Sequence, residues 1–247
     1  MSRETKPKSN LDKRFDLIRD REVFGYNPKE SGNRAFKKLK SNRLAVIGLI
    51  FVLAIIFTSI FAPLFTKYNP QKVDLRNMLK PPSAEHILGT DKIGRDVFAR
   101  IIYGGRISIL VGLGSALGAA LIGVSIGAYT GYRGGWWDSI FLRISEIVMS
   151  FPQIILVLLL VTILGQSLMN LIIIFTLTGW GSLYRMTRAQ MLSLREEEYV
   201  QALRAFGLSR ARICFKHILP NALGPIMVNI TLSTAMFILQ EAGLSFL

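Results

Sequence analysis

The sequence is poor in the residues on which metal sites and disulfide frameworks depend. It has one cysteine, Cys214, and two histidines among 247 residues. A single cysteine excludes an intramolecular disulfide and gives no basis for a cysteine-rich metal site, and His86 lacks the companions that a metal ligand needs. The sequence also lacks G-x-x-x-x-G-K-[ST], so the chain does not hydrolyse ATP by way of that phosphate-binding loop. We expect no metal, no catalytic residue and no bound cofactor.

Acidic residues are scarce as well. The chain has 16 Asp and Glu against 30 Lys and Arg, which gives a net charge of +14. Such an excess suits either nucleic acid or a membrane surface. The apolar fraction of 51% and the mean hydropathy of +0.39 argue against a disordered chain and an ordinary soluble domain. The positions of the charges decide between the two partners.

Long stretches of the chain contain no charged side chain at all. A helix needs about 20 apolar residues to cross a bilayer, and these stretches lack the polar face of a soluble helix. The sequence therefore predicts an all-α, polytopic integral membrane protein. The five predicted spans are residues 44–66, 107–132, 147–164, 168–184 and about 223–240, with a tight turn at Gly165-Gln166-Ser167. The positive charges flank these spans instead of forming one face, which excludes nucleic acid as a partner.

The positive charges also predict the orientation of the chain. A polar segment, residues 1–43, precedes the first span, which excludes a cleaved signal peptide. We expect this segment to be cytoplasmic, residues 67–106 to form an external loop, and residues 107–247 to form a four-span core. An inside loop, residues 185–222, interrupts that core. This topology puts 22 of the 30 Lys and Arg residues inside, as the positive-inside rule requires.

Small residues recur on one face of the second span. Gly114 and Gly118 are four residues apart, as are Gly123, Gly127 and Gly131. Small residues let helices approach closely in a bilayer, so this face either packs within the chain or faces a partner or a translocation pathway. Pro152 and Pro225 are expected to start or kink helices.

The inside loop is the part of the sequence with the richest local pattern. Ser193 and Glu196 fit a capping box, which predicts a helix with acids in its first turn. Gly207 is placed to end that helix, and Ser209 to cap a second one that stops before Pro220. The apolar stripe of the first helix consists of Tyr199, Ala202, Leu203 and Phe206. Such a helix either docks into a groove on another protein or lies on lipid headgroups.

Three other features leave alternatives open. Asp91, Arg95 and Asp96 form either a binding constellation or a salt-bridged structural turn between two glycines. His217 is either a packing or hydrogen-bonding residue or a pH switch. Glu241 is either a functional ionisable group within the last span or a residue near the outer interface.

The inside loop resembles the cytoplasmic motif of ATP-binding-cassette (ABC) transporter permeases. That motif reads E-A-A, three residues, G, nine residues, I-x-L-P. The corresponding positions are Gln201, Ala202, Leu203, Gly207, His217, Leu219 and Pro220. Gln201, Leu203 and His217 depart from it. Other blocks resemble the dipeptide, oligopeptide and nickel branch of these permeases, namely Gly89-Thr90-Asp91-Lys92-Ile93-Gly94-Arg95-Asp96, residues 103–108 and 131–136, Ser150-Phe151-Pro152, and residues 217–222 and 241–247.

The resemblance implies the membrane domain of a type I importer in a prokaryotic plasma (inner) membrane. Members have six spans, so we expect a sixth span beyond Leu247. The implied partners are a second homologous permease, two ABC ATPases that bind ATP and Mg²⁺, an external or periplasmic solute-binding protein, and the bilayer. The implied cargo is a dipeptide or an oligopeptide, with nickel or another small solute as the alternative. A stand-alone channel or secondary transporter would instead need intramembrane charges or an inverted repeat.

The resemblance also assigns roles to residues. It implies that the loop 193–222 couples to the ATPase. Its coupling residues are Glu198, Gln201, Ala202, Leu203, Arg204, Ala205, Phe206, Gly207, Leu208 and Ser209, and His217, Leu219 and Pro220 end the motif. The external motif consists of Gly89, Thr90, Asp91, Gly94, Arg95 and Asp96.

Overall fold

A computed structural model describes residues 40–246 of the chain. The described residues divide into two units, with the boundary between Ala54 and Ile55. The described residues form helices and turns, and their β-structure is limited to one isolated bridge between Thr90 and Asp96. The sequence prediction of an all-α fold is confirmed over this range.

Eight helices follow one another along the described residues. They are α1 (Arg43–Ile60), α2 (Ala62–Phe65), α3 (Val97–Arg133), α4 (Trp136–Ser150), α5 (Gln153–Leu164), α6 (Leu168–Leu194), α7 (Glu198–Ala205) and α8 (Arg210–Phe246). A short 3₁₀ turn, Leu75–Asn77, lies in the long connection between α2 and α3. Within α8, the segment Ile213–Ile218 is π-helical, and the segment Leu219–Phe246 is α-helical.

Helices α3 and α6 form the centre of the second unit, and α8 packs against both of them. Helices α4 and α5 also contact α6. The apolar core between these helices combines small side chains from α3 with large ones from α6. It includes Val111, Ala116, Ala119, Ala120, Val157, Ile174, Phe175, Trp180, Leu183, Tyr184 and Phe237.

The glycines of α3 explain how closely α3 approaches α6. A Cβ atom added to Gly123 would lie 2.6 Å from the carbonyl oxygen of Trp180, and one added to Gly127 would lie 2.6 Å from that of Tyr184. Only a glycine leaves room for backbone-to-backbone contact at these distances. The structure therefore favours packing within the chain as the role of this face.

The number of helices that can cross a membrane differs from the predicted five. Among residues 40–246, α1, α3 and α8 are long and apolar enough, and α4 with α5 adds a fourth if the pair is one broken span. The predicted third span is bent by 88° at Phe151 and Pro152, because Pro152 caps α5 and cannot continue α4. The predicted fourth span lies in α6, whose second half carries Arg185 and Arg188.

Two predicted helix ends also differ from the structure. Helix α3 begins at Val97, ten residues before the predicted span, because the carboxylate of Asp96 caps it by accepting a hydrogen bond from the amide of Ala99 at 2.7 Å. Helix α8 does not stop before Pro220. The amide of Leu219 donates to the carbonyl of Cys214, five residues back, and this π-type spacing carries the helix past the proline.

Candidate functional site

Helix α7 is a short helix between two long ones, α6 and α8. It begins at Glu198, with Glu197 as its N-terminal cap. The predicted capping box is wrong, because Ser193 lies inside α6, which continues to Leu194. Of the three consecutive glutamates, only Glu198 lies in the first turn of α7. The connection between α6 and α7 is therefore only three residues long.

A glycine turn ends α7, as predicted. Gly207 has φ +73°, its amide donates to the carbonyl of Arg204 at 2.9 Å, and the amide of Leu208 donates to the carbonyl of Leu203 at 3.3 Å. This pair of hydrogen bonds is the Schellman motif. Ser209 then caps α8, since its hydroxyl accepts a hydrogen bond from the amide of Arg212 at 3.4 Å. The corner between α7 and α8 is thus fixed by backbone hydrogen bonds and by the hydroxyl of Ser209.

The inward face of α7 packs on the π-helical segment of α8. Val200 is fully buried and Leu203 is 4% exposed. The predicted stripe is therefore split: Leu203 points inward, Tyr199 and Ala202 are half-buried, and Phe206 is 37% exposed. Sequence reasoning missed Val200, although its spacing of three from Leu203 was a usable signal.

The outward side of α7 combines polar and apolar groups. Gln201, Ala205 and Phe206 are exposed, and Leu208 beyond the corner is half-buried. The side-chain amide of Gln201 donates to the carbonyl of Glu196 at 3.1 Å, so it ties α7 to the preceding connection. The exposed Phe206 follows the last residue of α7, next to the corner, which is a position that a partner protein can contact.

Arginine side chains join α7 to the end of α3. The guanidinium of Arg204 lies 5.4 Å over the ring of Tyr132 and donates to its hydroxyl at 3.4 Å and to the carbonyl of Arg195 at 3.3 Å. Arg195 in turn donates to the carbonyl of Gly131 at 3.3 Å. Helix α7 is therefore attached to α3 as well as to α6 and α8.

The end of the loop motif lies within α8. The side-chain amide of Asn221 donates to the carbonyl of His217 at 3.0 Å and to the hydroxyl of Tyr199 on α7 at 3.3 Å. Leu219 and Pro220 are half-buried in the same helix. The prediction of a separate second helix that stops at Leu219 is wrong, and this part of the motif connects α7 directly to a membrane-length helix.

Asp91 organises the first half of the external motif. Its carboxylate accepts hydrogen bonds from the amides of Ile93 and Arg95 at 3.0 and 2.9 Å, and it pairs with the side chains of Arg95 and Arg100 at 2.8 and 2.7 Å. Burial raises the pKa of this carboxyl, but the hydrogen bonds and the charge of Arg95 outweigh burial and hold the pKa at about 2. The stabilisation from charged Asp91 is therefore present above pH 4 and is lost as the pH falls through 2.

The polar side chains in the rest of the motif also have their hydrogen-bond partners within the loop. Asp96 caps α3 with one carboxylate oxygen, and the other oxygen lies 2.8 Å from Nδ1 of the buried His86. Thr90 accepts a hydrogen bond from the amide of Lys80 at 2.8 Å and donates to the carbonyl of Asn77. Sequence reasoning missed His86 as a partner of Asp96. These contacts favour the structural turn over the binding constellation, which stays a prediction.

The two motif glycines occupy positions that other residues cannot take. Gly89 and Gly94 have φ +73° and φ +75°, and a Cβ on Gly94 would lie 1.7 Å from the carbonyl oxygen of Asp74. Gly94→Ala is therefore expected to open the loop locally and to speed its cleavage by proteinase K about fivefold or more in the solubilised protein, since left-handed strain alone costs about 1 kcal/mol.

The exposed neighbour Lys92 supplies the control for this experiment. Lys92→Ala in the same turn should be cleaved at the rate of the unmodified chain. Equal cleavage rates for the two variants would contradict the close contact between Gly94 and Asp74.

Glu241 is a buried carboxyl between α3 and α8. It is 9% exposed, and its oxygens accept hydrogen bonds from the hydroxyls of Ser108 on α3 at 2.8 Å and of Ser245 at 3.1 Å. Among residues 40–246, no cationic side chain lies within ion-pair distance of it. The contact with Ser108 shows that Glu241 takes part in helix packing. Whether it lies within the bilayer or near its outer surface stays a prediction.

A second ion pair that the sequence did not reveal joins α4 to α6. Both nitrogens Nε and Nη2 of Arg188 lie 2.6 Å from the carboxylate oxygens of Asp138. The two residues are 50 positions apart, and no local pattern connects them.

Comparisons with known proteins agree with the motifs described above. Residues 123–247 match the family model described as binding-protein-dependent transport system inner membrane component, and residues 32–82 match that of the N-terminal TM domain of oligopeptide transport permease C.

Individual relatives match most of the chain. It is 45% identical over 213 residues to the dipeptide transport system permease protein DppC of Alkalihalophilus pseudofirmus, and 44% identical to the oligopeptide transport system permease protein OppC of Bacillus subtilis. Each alignment covers 86% of this chain and 70% of the relative. The DppC protein of Haemophilus influenzae is 37% identical, with 84% of this chain and 72% of the relative covered.

Proposed function

Because the chain belongs to the family of inner membrane components of binding-protein-dependent transport systems, we propose that it forms half of the pathway of an ATP-driven peptide importer. Members of this family are non-catalytic, multi-pass membrane subunits that work with ATPases and a solute-binding protein. The dipeptide and oligopeptide permeases among the relatives support a peptide as cargo. Nickel or another small solute is the alternative that the external motif leaves open.

The assembly that we propose contains a second, homologous permease, two ABC ATPases and one external solute-binding protein. The N-terminus is cytoplasmic, since this orientation places most positive residues inside. ATP and Mg²⁺ bind to the ATPases and not to this chain. The α7 loop, residues 195–209, then faces the cytoplasm, where an ATPase can reach it.

The α7 loop is the element that transmits motion between the ATPase and the spans. The observation that supports this role is the attachment of α7 to three long helices. Its inward face packs on α8, and Arg204 donates a hydrogen bond to Tyr132 at the end of α3. Only three residues separate α7 from α6. A displacement of α7 therefore acts on three long helices at once. ATP binding shifts the equilibrium between inward-open and outward-open states because the ATPase contacts α7 differently in each state.

Phe206→Asp tests this function. The exposed ring lies next to the glycine corner, and a carboxylate buried against an ATPase would cost at least about 1.4 kcal/mol, or tenfold in binding. In vesicles that contain the assembled transporter, we expect the variant to lower the import of a radiolabelled dipeptide at least about tenfold. The ATP hydrolysis that loaded binding protein stimulates should fall in parallel.

Phe206→Leu is the matched variant, because it keeps an apolar side chain at the same position, and it should import at close to the normal rate. If Phe206→Asp assembles with its ATPases and imports the dipeptide normally, α7 is not the coupling element. If no ATPase co-purifies with the chain and the chain alone conducts, the importer assignment itself fails, and a stand-alone channel replaces it.

A further inference from the structure

Four arginines surround a cavity of about 510 Å³ at the junction of α3, α7 and α8. They are Arg133, Arg195, Arg204 and Arg210, and the one acidic residue that lines the cavity is Glu196. Glu196 pairs with Arg195 at 2.8 Å. Within the described part of the chain, no carboxylate lies in ion-pair distance of the other three. The cavity therefore carries an excess of about three positive charges.

Neutral groups hold two of these guanidinium groups in place without cancelling their charge. Arg204 donates to the hydroxyl of Tyr132 and to a carbonyl oxygen, and Arg133 donates to the hydroxyl of Tyr129. Arg210 is the first residue of α8, where the dipole of a 37-residue helix adds positive potential. The arginines thus line a cavity whose positive charge suits a phosphate group.

A second cavity of about 340 Å³ adjoins the first and shares Tyr132, Arg133 and Arg210 with it. Its further lining is apolar or aromatic and consists of Tyr129, Ala211 and Cys214. Tyr129 lies one turn before Arg133, toward the middle of α3. A ligand that fills both cavities has an anionic head beside the arginines and an apolar part along the membrane-length helices.

The neighbouring tryptophans indicate the depth of these cavities in a bilayer. Trp136 and Trp137 begin α4, which two residues separate from the end of α3, and are 68% and 46% exposed. Exposed tryptophans beside a membrane helix occupy the boundary between hydrocarbon and headgroups. The arginine cavity therefore lies at the depth of lipid phosphates, where basic pockets between helices bind anionic headgroups.

We propose that the arginine cavity binds the phosphate headgroup of an anionic phospholipid, whose acyl chains pass the second cavity. The lipid then bridges the end of α3 to the corner between α7 and α8. This makes the position of α7 dependent on the lipid composition of the membrane. A free phosphate ion or an acidic side chain of a partner would use the first cavity alone.

The experiment compares the lipids that the purified full chain retains from a mixture of phosphatidylglycerol and phosphatidylcholine, measured by native mass spectrometry. The unmodified chain should prefer phosphatidylglycerol. The double variant Arg133→Gln/Arg210→Gln should lose at least about tenfold of this preference, since each arginine near a headgroup contributes about 1 kcal/mol, or about fivefold.

Matched variants separate the cavity from general surface charge. Arg143→Gln/Lys216→Gln removes two exposed positive charges outside the cavity and should change the preference less than about twofold. Arg133→Lys/Arg210→Lys keeps the charge and should retain the preference, which guards against a folding defect.

Other outcomes overturn the proposal. They are an equal loss in both charge-removing pairs, no preference in the unmodified chain, and complete displacement of the lipid by millimolar inorganic phosphate. The last result would identify a site for free phosphate. A preference that vanishes when the assembled transporter is measured would instead assign the cavity to an acidic group of a partner subunit.

Discussion

Gly127→Ala is expected to destabilise the protein, whereas Gly104→Ala on the same helix is expected to leave it as stable or slightly more stable. The Cβ atom at position 127 would lie 2.6 Å from the carbonyl oxygen of Tyr184 and 3.0 Å from Cβ of Thr187. Backbone atoms of α6 cannot rotate away, so α3 and α6 must separate. Overpacking of this kind costs about 2 kcal/mol, more than the helix propensity that alanine adds.

Gly104 is the internal control because an added Cβ there meets nothing within 4 Å. Its replacement by alanine gains about 0.5–1 kcal/mol of helix propensity at no packing cost. Thermal unfolding of the detergent-solubilised chain, followed by size-exclusion chromatography with fluorescence detection, measures both shifts. Identical melting temperatures for the two variants would show that α3 does not contact α6 through Gly127.

The spacing of the glycines on α3 is a local, periodic signal, so the sequence predicted a closely packed face. It did not predict that α6 is the helix packed against that face. Local signals also identified Gly207 and Ser209, whose roles at the corner between α7 and α8 depend on local hydrogen bonds. The resemblance of the α7 loop to a known motif located the candidate site for the same reason. Short-range geometry thus accounts for most of what the sequence predicted correctly.

Competition between neighbouring segments explains the predictions that differ from the structure. Ser193 has the chemistry of a helix cap, but α6 extends over it, and a side chain within a helix does not cap one. Pro220 has the chemistry of a helix breaker, but the π-helical segment before it changes the hydrogen-bond spacing. Pro152 indicates a break between two helices, but the angle of 88° depends on how α4 and α5 both pack on α6, which no local pattern specifies.

Asp138→Asn is expected to lower the stability of the chain by about 3 kcal/mol, because it leaves the guanidinium of Arg188 poorly paired in a largely buried site. The carboxylate accepts two hydrogen bonds of 2.6 Å from Arg188, and the two side chains are 12% and 23% exposed. The backbone of Asp138 also accepts a hydrogen bond from the hydroxyl of Tyr184 at 3.4 Å. Glu146→Gln on the same helix breaks an exposed pair with Arg143 and should cost less than about 0.5 kcal/mol.

A double-mutant cycle separates the ion pair from the packing around it. Arg188→Met alone leaves Asp138 as an unpaired carboxylate, whereas Asp138→Asn with Arg188→Met removes both charges and should recover part of the loss. Thermal unfolding of the four chains gives the coupling energy. If Asp138→Asn and Glu146→Gln shift the melting temperature equally, the pair does not hold α4 to α6. Arg188 lies six residues before the end of α6, and its backbone contacts Gly131 of α3. Three residues separate the end of α6 from α7. Loss of the pair should therefore loosen the end of the helix from which α7 extends, and Asp138→Asn should lower peptide import by more than its loss of folded protein accounts for.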